Sequence, residues 1–349
     1  MKPLRMAVFG CGFWSRFQIP AWREIEGVNC VAVCDVDAEK SRLAAARFNI
    51  PESFTDPSEL IAKVRPDAID VVTSPETHAA LIELVSSQGV AAICQKPMAT
   101  DLATAEKMVR SCAERNIPFY VHENWRWQSP IRQLKRVLDS GEIGQPFRAR
   151  LDFNCSFPVF DNQPSLRELP ELILADLGVH LLDTVRFLFG EAERLTCQIH
   201  RVNPGIAGED VATVLLWMAN RVTVCCNLSF ASQLEGQRFP ETFILVEAEK
   251  GSVELGPDYW IRTTRRGKTT AIRCPPKFYS WADPDYALVH ASIVDCHRNL
   301  AAALRGTNRA ETTAADNLQT LHLVFDAYES AHAGQTVQVQ KRALLSPSP

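Results

Sequence analysis

No apolar run in this 349-residue chain approaches the ~18 consecutive apolar residues of a membrane-spanning helix. No membrane partner is expected. Basic residues are not in excess either: 37 Lys and Arg stand against 41 Asp and Glu, for a net charge of −4. The basic patch of a nucleic-acid-binding surface is therefore not expected. The 11 cysteines form no C-x-x-C pair, which argues against a structural zinc cluster, and no metal is expected. Several of them, Cys30, Cys34, Cys94 and Cys225, lie inside apolar runs. They read as small buried residues of a reducing compartment, so a cytoplasmic location is expected. No long apolar stretch precedes the first strand, and no secretory leader is expected. Internal repeats and low-complexity segments are absent.

What is present is an ordinary globular composition, 46 % hydrophobic and 22 % charged, with length enough for two domains. The chain is organised around Leu4–Ser15, LRMAVFGCGFWS. This reads as a short apolar strand, a glycine turn and the start of a helix. Gly10, Gly12 and Ser15 occupy the three small positions of the dinucleotide fingerprint G-x-G-x-x-G. The first permits the tight turn, the second lets backbone approach a diphosphate, and the third lets helix and strand pack closely. Helix-opening N–H groups and the helix dipole then face the phosphates. Serine in the third place is a departure, though a small one. Cys11 inside the turn reads as a small filler.

By itself the turn fits any glycine-containing strand-to-helix junction. A second strand, Cys30–Cys34, ends at Asp35, where an acid can bind the adenosine ribose hydroxyls. No arginine follows in the turn. A carboxylate about 4 Å from the extra phosphate of NADP costs roughly 4 kcal/mol at an effective dielectric of about 20, before screening. NAD is therefore favoured over NADP. Asp37 reads as the N-cap of a helix over 38–48.

The first third alternates apolar strands (30–35, 69–73, 91–95, 119–123) with helices (from 57, 79–88, 101–115). This predicts a doubly wound parallel sheet covered on both faces, with ligands outside the carboxyl ends of its strands. A helix over 129–139 leads out. Beyond it strands follow one another at 147–157, 194–202, 211–218, 221–230, 242–247, 252–255 and 259–264, interrupted by a helix over 172–188 and closed by two more helices. The fold class expected is an N-terminal α/β Rossmann domain, residues 1–124, and an α+β domain with a mostly antiparallel open sheet, residues 125–345. The open sheet face is a natural surface for a homodimer or homotetramer. The tail Ser346–Pro349 is expected to fray.

Three groups of residues can carry chemistry. Gln95-Lys96-Pro97 follows a buried strand, so Lys96 points into the crevice, where partial desolvation suits it to proton transfer; a solvated loop lysine is the alternative. Asp176-Leu-Gly-Val-His180-Leu-Leu-Asp183 lies on an otherwise apolar helix. At 100° per residue its three ionisable groups fall within about 60° of one another, which is costly unless they are paired or used. Asp176 and His180, at i and i+4, can address one volume. They form either a catalytic pair or a buried pair holding the domains together. Asp183 leans structural, tied to backbone or to Arg186. The third group is His122-Glu-Asn-Trp-Arg-Trp127. Asn124 can bind a carboxamide or a hydroxyl. Trp125 and Trp127 form a wall for a sugar face or else inter-domain core. A loop punctuated by Pro158, Pro164 and Pro170 precedes the Asp176 helix and is placed to cover a substrate.

Taken together, these motifs resemble the glucose–fructose oxidoreductase, inositol dehydrogenase and MocA-like family over nearly the whole chain. The family has G-x-G-x-x-[GSA], a glutamate-lysine-proline tripeptide after the fifth strand, and D-x-G-x-H-x-x-D. The resemblance extends to Ser74-Pro75 with His78, Asn124-x-Arg126 with Pro130, and Gly141-x-x-Gly144. Gln95 stands where the family usually has glutamate, which removes a charge beside the nicotinamide site. The resemblance implies an enzyme that oxidises a secondary or anomeric hydroxyl of a sugar or polyol with NAD. It places Lys96, Asp176 and His180 in catalysis. His180 would take the hydroxyl proton, Asp176 would orient His180, and Lys96 would polarise the substrate oxygen or share the proton. Gly10, Cys11, Gly12, Phe13, Trp14, Asp35, Thr73, Ser74, Pro75, His78, Gln95, Lys96 and Asn124 are the implied cofactor residues. Lys96, Asn124, Trp125, Arg126, Asp176 and His180 are the implied substrate residues. Within the family, FGCGFWSRFQIPAW, ICQKPM, HENWRWQ and FPVFDNQP are most similar to dehydrogenases that oxidise the branched aldose D-apiose to its lactone. A cyclic-polyol dehydrogenase, a redox NAD-dependent glycosidase, a cofactor-trapping oxidoreductase and a non-catalytic dinucleotide- and sugar-binding regulator are the competing readings.

Overall fold

The first six strands are β1 Leu4–Phe9, β2 Val28–Cys34, β3 Glu52–Phe54, β4 Ala68–Val71, β5 Ala91–Gln95 and β6 Phe119–His122. In this computed structural model, which describes residues 2–235 and 238–339, they form one parallel sheet in the order β3-β2-β1-β4-β5-β6. The helices between them are α1 Ser15–Arg23, α2 Ala38–Phe48, α3 Pro57–Val64, α4 Pro75–Ser87 and α5 Leu102–Glu114. Their starts follow local chemistry. The Asp37, Asp56 and Asp101 side chains accept N–H bonds in the first turns of α2, α3 and α5, which satisfies donors that have no partner in the helix. Pro57 and Pro75 open α3 and α4, where the missing N–H costs nothing. For that reason α4 begins ahead of the residue-79 start expected.

Beyond β6 the chain runs through α6 Ser129–Asp139, β7 Pro146–Asn154, the short α7 Val159–Asn162, and α8 Val179–Phe189. The strands β8 Ala192–His200, β9 Val211–Met218, β10 Thr223–Ser229, β11 Phe243–Ala248, β12 Gly251–Gly256, β13 Trp260–Arg265 and β14 Lys268–Arg273 follow. Helices α9 Ala287–Leu304 and α10 Ala314–Ala333 and the short β15 Val337–Gln338 close the described chain. The second sheet has nine strands in the order β14-β13-β12-β11-β7-β10-β9-β8-β15. Every pair is antiparallel except β7 with β10. Strand β14 was not expected. All six of its residues are exposed, so it has no buried face to give the alternation that marks a strand.

One face of the second sheet is buried. In β9, Ala212, Val214, Leu216 and Met218 point inward, while Val211, Thr213, Leu215 and Trp217 face out. Helices α6, α8 and α10 cover the inner face through Leu134, Leu181 and Val324. Helix α10 serves both sheets: Leu318 and Leu321 pack into the core of the first, Leu323 and Ala327 into that of the second. Helix α9 lies on the first sheet, with Ile293 and Leu300 against Trp22 and Met6. Helix α10 thus joins the two sheets, with the crevice between them. The expected end of the second domain, residue 345, and the tail Ser346–Pro349 lie outside the described residues.

Candidate active site

The glycine turn has the geometry a diphosphate requires. Gly10 has φ +92°, and a Cβ there would lie 2.7 Å from the Val72 carbonyl oxygen, so no other residue fits without strain. A Cβ on Gly12 would meet nothing within 4 Å, which leaves open the space that a bound group would occupy. Ser15 is buried and donates to the Gly12 carbonyl at 2.7 Å. Serine in the third position therefore tightens the turn. The Asp35 carboxylate accepts from Cys11 N at 2.7 Å and from Asp37 N at 2.9 Å, and so it is held at the rim of the turn. Burial pushes the Cys11 thiol up to about 12, in keeping with a filler. Thr73, Ser74 and Pro75 form the neighbouring strand-to-helix junction, where Thr77 donates to the Thr73 hydroxyl at 2.7 Å. The ring of Phe13 packs edge-on against Trp14 and Phe17. A dinucleotide fits this cradle.

His78 does not belong with the ligand-facing residues. It is fully buried, and its ring nitrogens lie 3.2 Å from Met98 O and 3.1 Å from Thr73 O. It ties the turn after β4 to the turn after β5, and burial pushes it below the usual imidazole range.

At the carboxyl ends of β5 and β6 a cleft opens between the sheets, where ligands bind in open α/β folds. Trp14, Gln95, Lys96, Asn124, Trp125, Asp176 and His180, all expected from sequence, line it. So do Gln18, His122, Phe230, Phe239 and Tyr286, which sequence reasoning did not assign to it. Val159 and Gln163, from the loop that carries Pro158 and Pro164, reach it as well.

The pairing inside the cleft differs from expectation. Asp176 does not orient His180. Its Oδ1 lies 2.7 Å from Lys96 Nζ, which also donates to the Asp176 carbonyl at 2.8 Å. His180 Nδ1 lies 2.6 Å from Glu123 Oε1 instead. The local cause is a π-turn over Leu174–Gly178, ahead of α8. The 100° spacing that puts positions i and i+4 on one stripe holds only for an α-helix. The buried Glu209 carboxylate anchors this turn by accepting Leu172 N, Leu174 N and the Tyr328 hydroxyl. The Trp125 ring stacks on His180 with centroids 4.5 Å apart, and its Nε1 donates to Thr242 at 2.9 Å.

Other expectations change as well. Arg126 is not in the cleft: its Nε lies 2.7 Å from Asp183 Oδ2, and its guanidinium also pairs with Asp316. Asp183 is structural, but its partner is Arg126 rather than Arg186. Trp127 turns away from the cleft and packs under the Arg132 guanidinium, 4.3 Å from the ring centroid. Asn124 lines the cleft, but its NH₂ group donates to Val289 O and Ser292 Oγ of α9. The Gln95 side chain accepts from Lys96 N at 2.9 Å and so shapes the turn that presents the lysine, whose bond to Pro97 is cis.

A dinucleotide cradle, with a lysine, a histidine and an aspartate in the adjoining cleft, defines a dehydrogenase of the Rossmann class. The chain belongs to the GFO/IDH/MocA oxidoreductase family: residues 4–123 match its NAD-binding Rossmann fold and residues 131–254 its C-terminal domain. It is 40 % identical to a D-apiose dehydrogenase of Paraburkholderia graminis, over 100 % of this chain and 93 % of that one. It is 39 % identical to a D-apiose dehydrogenase of Rhizobium rhizogenes, over 97 % of this chain and 98 % of that one. A crystal structure of an oxidoreductase from Agrobacterium radiobacter in complex with NAD+, L-tartaric acid and magnesium superposes with a TM-score of 0.94. It is 39 % identical and covers 96 % of this chain and 98 % of its own.

Proposed function

We propose that this chain is an NAD-dependent aldose dehydrogenase that oxidises the anomeric hydroxyl to a lactone, with D-apiose the first substrate to test. The observation that carries the reading is the convergence of Lys96, Asp176 and His180 on one cleft at the carboxyl ends of β5 and β6. Bound along the glycine turn, NAD supplies the hydride acceptor. His180, with Nδ1 engaged, offers Nε2 to the substrate and takes the hydroxyl proton. Lys96, held by Asp176, polarises the reacting oxygen. Trp125 and Tyr286 give the cleft apolar walls suited to the C–H face of a sugar. Similarity to D-apiose dehydrogenases along the full length supports the substrate class. Cofactor reduction over aldoses and cyclic polyols tests it. Turnover of myo-inositol in preference to every aldose would replace the anomeric reading with a cyclic-polyol one.

The same reading takes the outer face of the nine-stranded sheet, with Leu215, Trp217 and Leu245 half-exposed, as the surface of a homodimer or homotetramer. Light scattering of Trp217→Glu against the unaltered protein tests that surface. All 11 cysteines are free thiols, which supports a reducing, cytoplasmic setting. No helix among the described residues is long and apolar enough to cross a membrane.

A further inference from the structure

The carboxylate at Glu123 is wholly buried at the end of β6, and neither the fingerprint nor the tripeptide motif accounts for it. Taking an ionised carboxylate out of water is expensive unless specific partners offset the cost. Its partners are His180 Nδ1 at 2.6 Å and Trp125 N, which donates to the same Oε1 at 3.0 Å. Burial alone pushes this carboxyl up. The His180 ring, its hydrogen bond, the Trp125 N–H and the Lys96 charge outweigh burial and hold it below the usual carboxylate range. Among the described residues its Oε2 has no hydrogen-bond partner. Among the described residues the bond to His180 is therefore the only hydrogen bond that Glu123 makes to another side chain. Around the pair stand Lys96 just after β5, His122 of β6, Arg126, Asp183 of α8 and Cys296 of α9. Of these only Lys96 and His122 also line the cleft.

A carboxylate accepting from one imidazole nitrogen places the proton on that nitrogen and leaves the other as the acceptor. The Trp125 ring against the imidazole face prevents the ring from turning away from that bond. Glu123 and Trp125 together thus fix which nitrogen faces the cleft and at what angle.

We infer that Glu123 is the positioning residue of His180: it sets the tautomer, orients the ring and stabilises the imidazolium formed when His180 takes the substrate proton. Asp176, bound to Lys96, has no part in this. The inference rests on the proposed role of His180 as base. The step balances without a further reactant. The proton passes from the substrate hydroxyl to His180 Nε2, and Glu123 stays ionised throughout.

The test is a double-mutant cycle on the full-length enzyme, read by kcat/KM, its pH profile and NADH binding. Glu123→Gln keeps the size of the side chain but loses the charge. The variant should bind NADH as the parent does, lose ~10²-fold in kcat/KM, the low end of what a positioned acid–base group contributes, and show an acid limb moved to lower pH. Glu123→Asp, which keeps the charge, should recover part of the rate. In a His180→Ala background, Glu123→Gln should change kcat/KM less than about twofold, because both residues act through one proton transfer. A full rate in Glu123→Gln, or the same loss with and without His180, overturns the inference while the dehydrogenase reading stands. A full rate in His180→Ala overturns the base assignment and the positioning role with it. If Glu123→Gln does not fold, Glu123→Asp in the two backgrounds decides by the same comparison.

Discussion

Lys96 Nζ sits 2.7 Å from Asp176 Oδ1 and 2.8 Å from the Asp176 carbonyl oxygen. One residue of the second domain thus holds the lysine that follows β5 of the first by both its side chain and its backbone. The contact spans the cleft, so the Lys96 ammonium is positioned only when both halves of the chain are in place.

Replacing Lys96 with alanine should lower kcat by at least ~100-fold, since a positioned proton-handling group typically contributes 10²–10⁴. NADH binding should change far less. Steady-state rates with the preferred sugar check this, and a near-normal rate would remove Lys96 from the mechanism.

Both Asp35 carboxylate oxygens are already fixed, by Cys11 N and Asp37 N, and we propose that this carboxylate takes the adenosine ribose hydroxyls. Asp35→Ser removes the charge that opposes a second phosphate. The ratio of kcat/KM for NADP over NAD should rise by about tenfold or more. An unchanged ratio would contradict the ribose-side assignment.

Asp70 gives a prediction about stability and pH. It is fully buried in β4 and accepts from Trp22 Nε1 at 2.8 Å. Burial raises its carboxyl to about 7, against the lowering effect of the Trp22 bond. The unfolded chain titrates near ~3.9. Below that pH both states hold the proton, and the contribution of the group is complete. As pH rises toward 7 the folded state keeps a proton that the unfolded state has lost, and that stability drains away. The loss is on the order of 4 kcal/mol. Asp70→Asn, whose amide oxygen still accepts from Trp22, should match the parent near pH 4 and exceed it in urea midpoint at pH 8. Parallel pH profiles for the two proteins would contradict this.

Arg126 lies buried between Asp183 and Asp316. Arg126→Met leaves Asp183 without its counter-charge, and loss of one partner of such a pair costs about 3–5 kcal/mol. Denaturant unfolding should show that loss, while NADH affinity of the folded fraction stays near normal. A raised KM for the sugar with unchanged stability would return Arg126 to the substrate site.

Most of the architecture was legible because it is written in local chemistry. Apolar strands between capped helices announced the parallel sheet, and strands following one another announced the second. Asp37 and Asp101 marked helix starts by the donors they satisfy. Strand β14 escaped because it buries nothing. In β4 the sequence looked continuously apolar, but it hides Asp70, whose partner Trp22 lies 48 positions away in α1. The composition of the cleft was legible and its wiring was not. Spacing alone paired Asp176 with His180, and the π-turn broke that spacing. Glu123 stood beside two residues already under suspicion, but a strand-end acid carries no mark of the histidine it will meet. Tyr286 reaches the cleft from a short 3-10 turn just ahead of α9, with no motif at all.

The central claim is best tested by following NADH formation with D-apiose, other aldoses and myo-inositol, using the unaltered chain and Lys96→Ala side by side. Rapid NAD reduction with D-apiose or a closely related aldose is expected, with slower use of NADP and loss of ~100-fold or more in the variant. Silence across every sugar in a protein that still binds NADH, or reduction that survives Lys96→Ala undiminished, would contradict it.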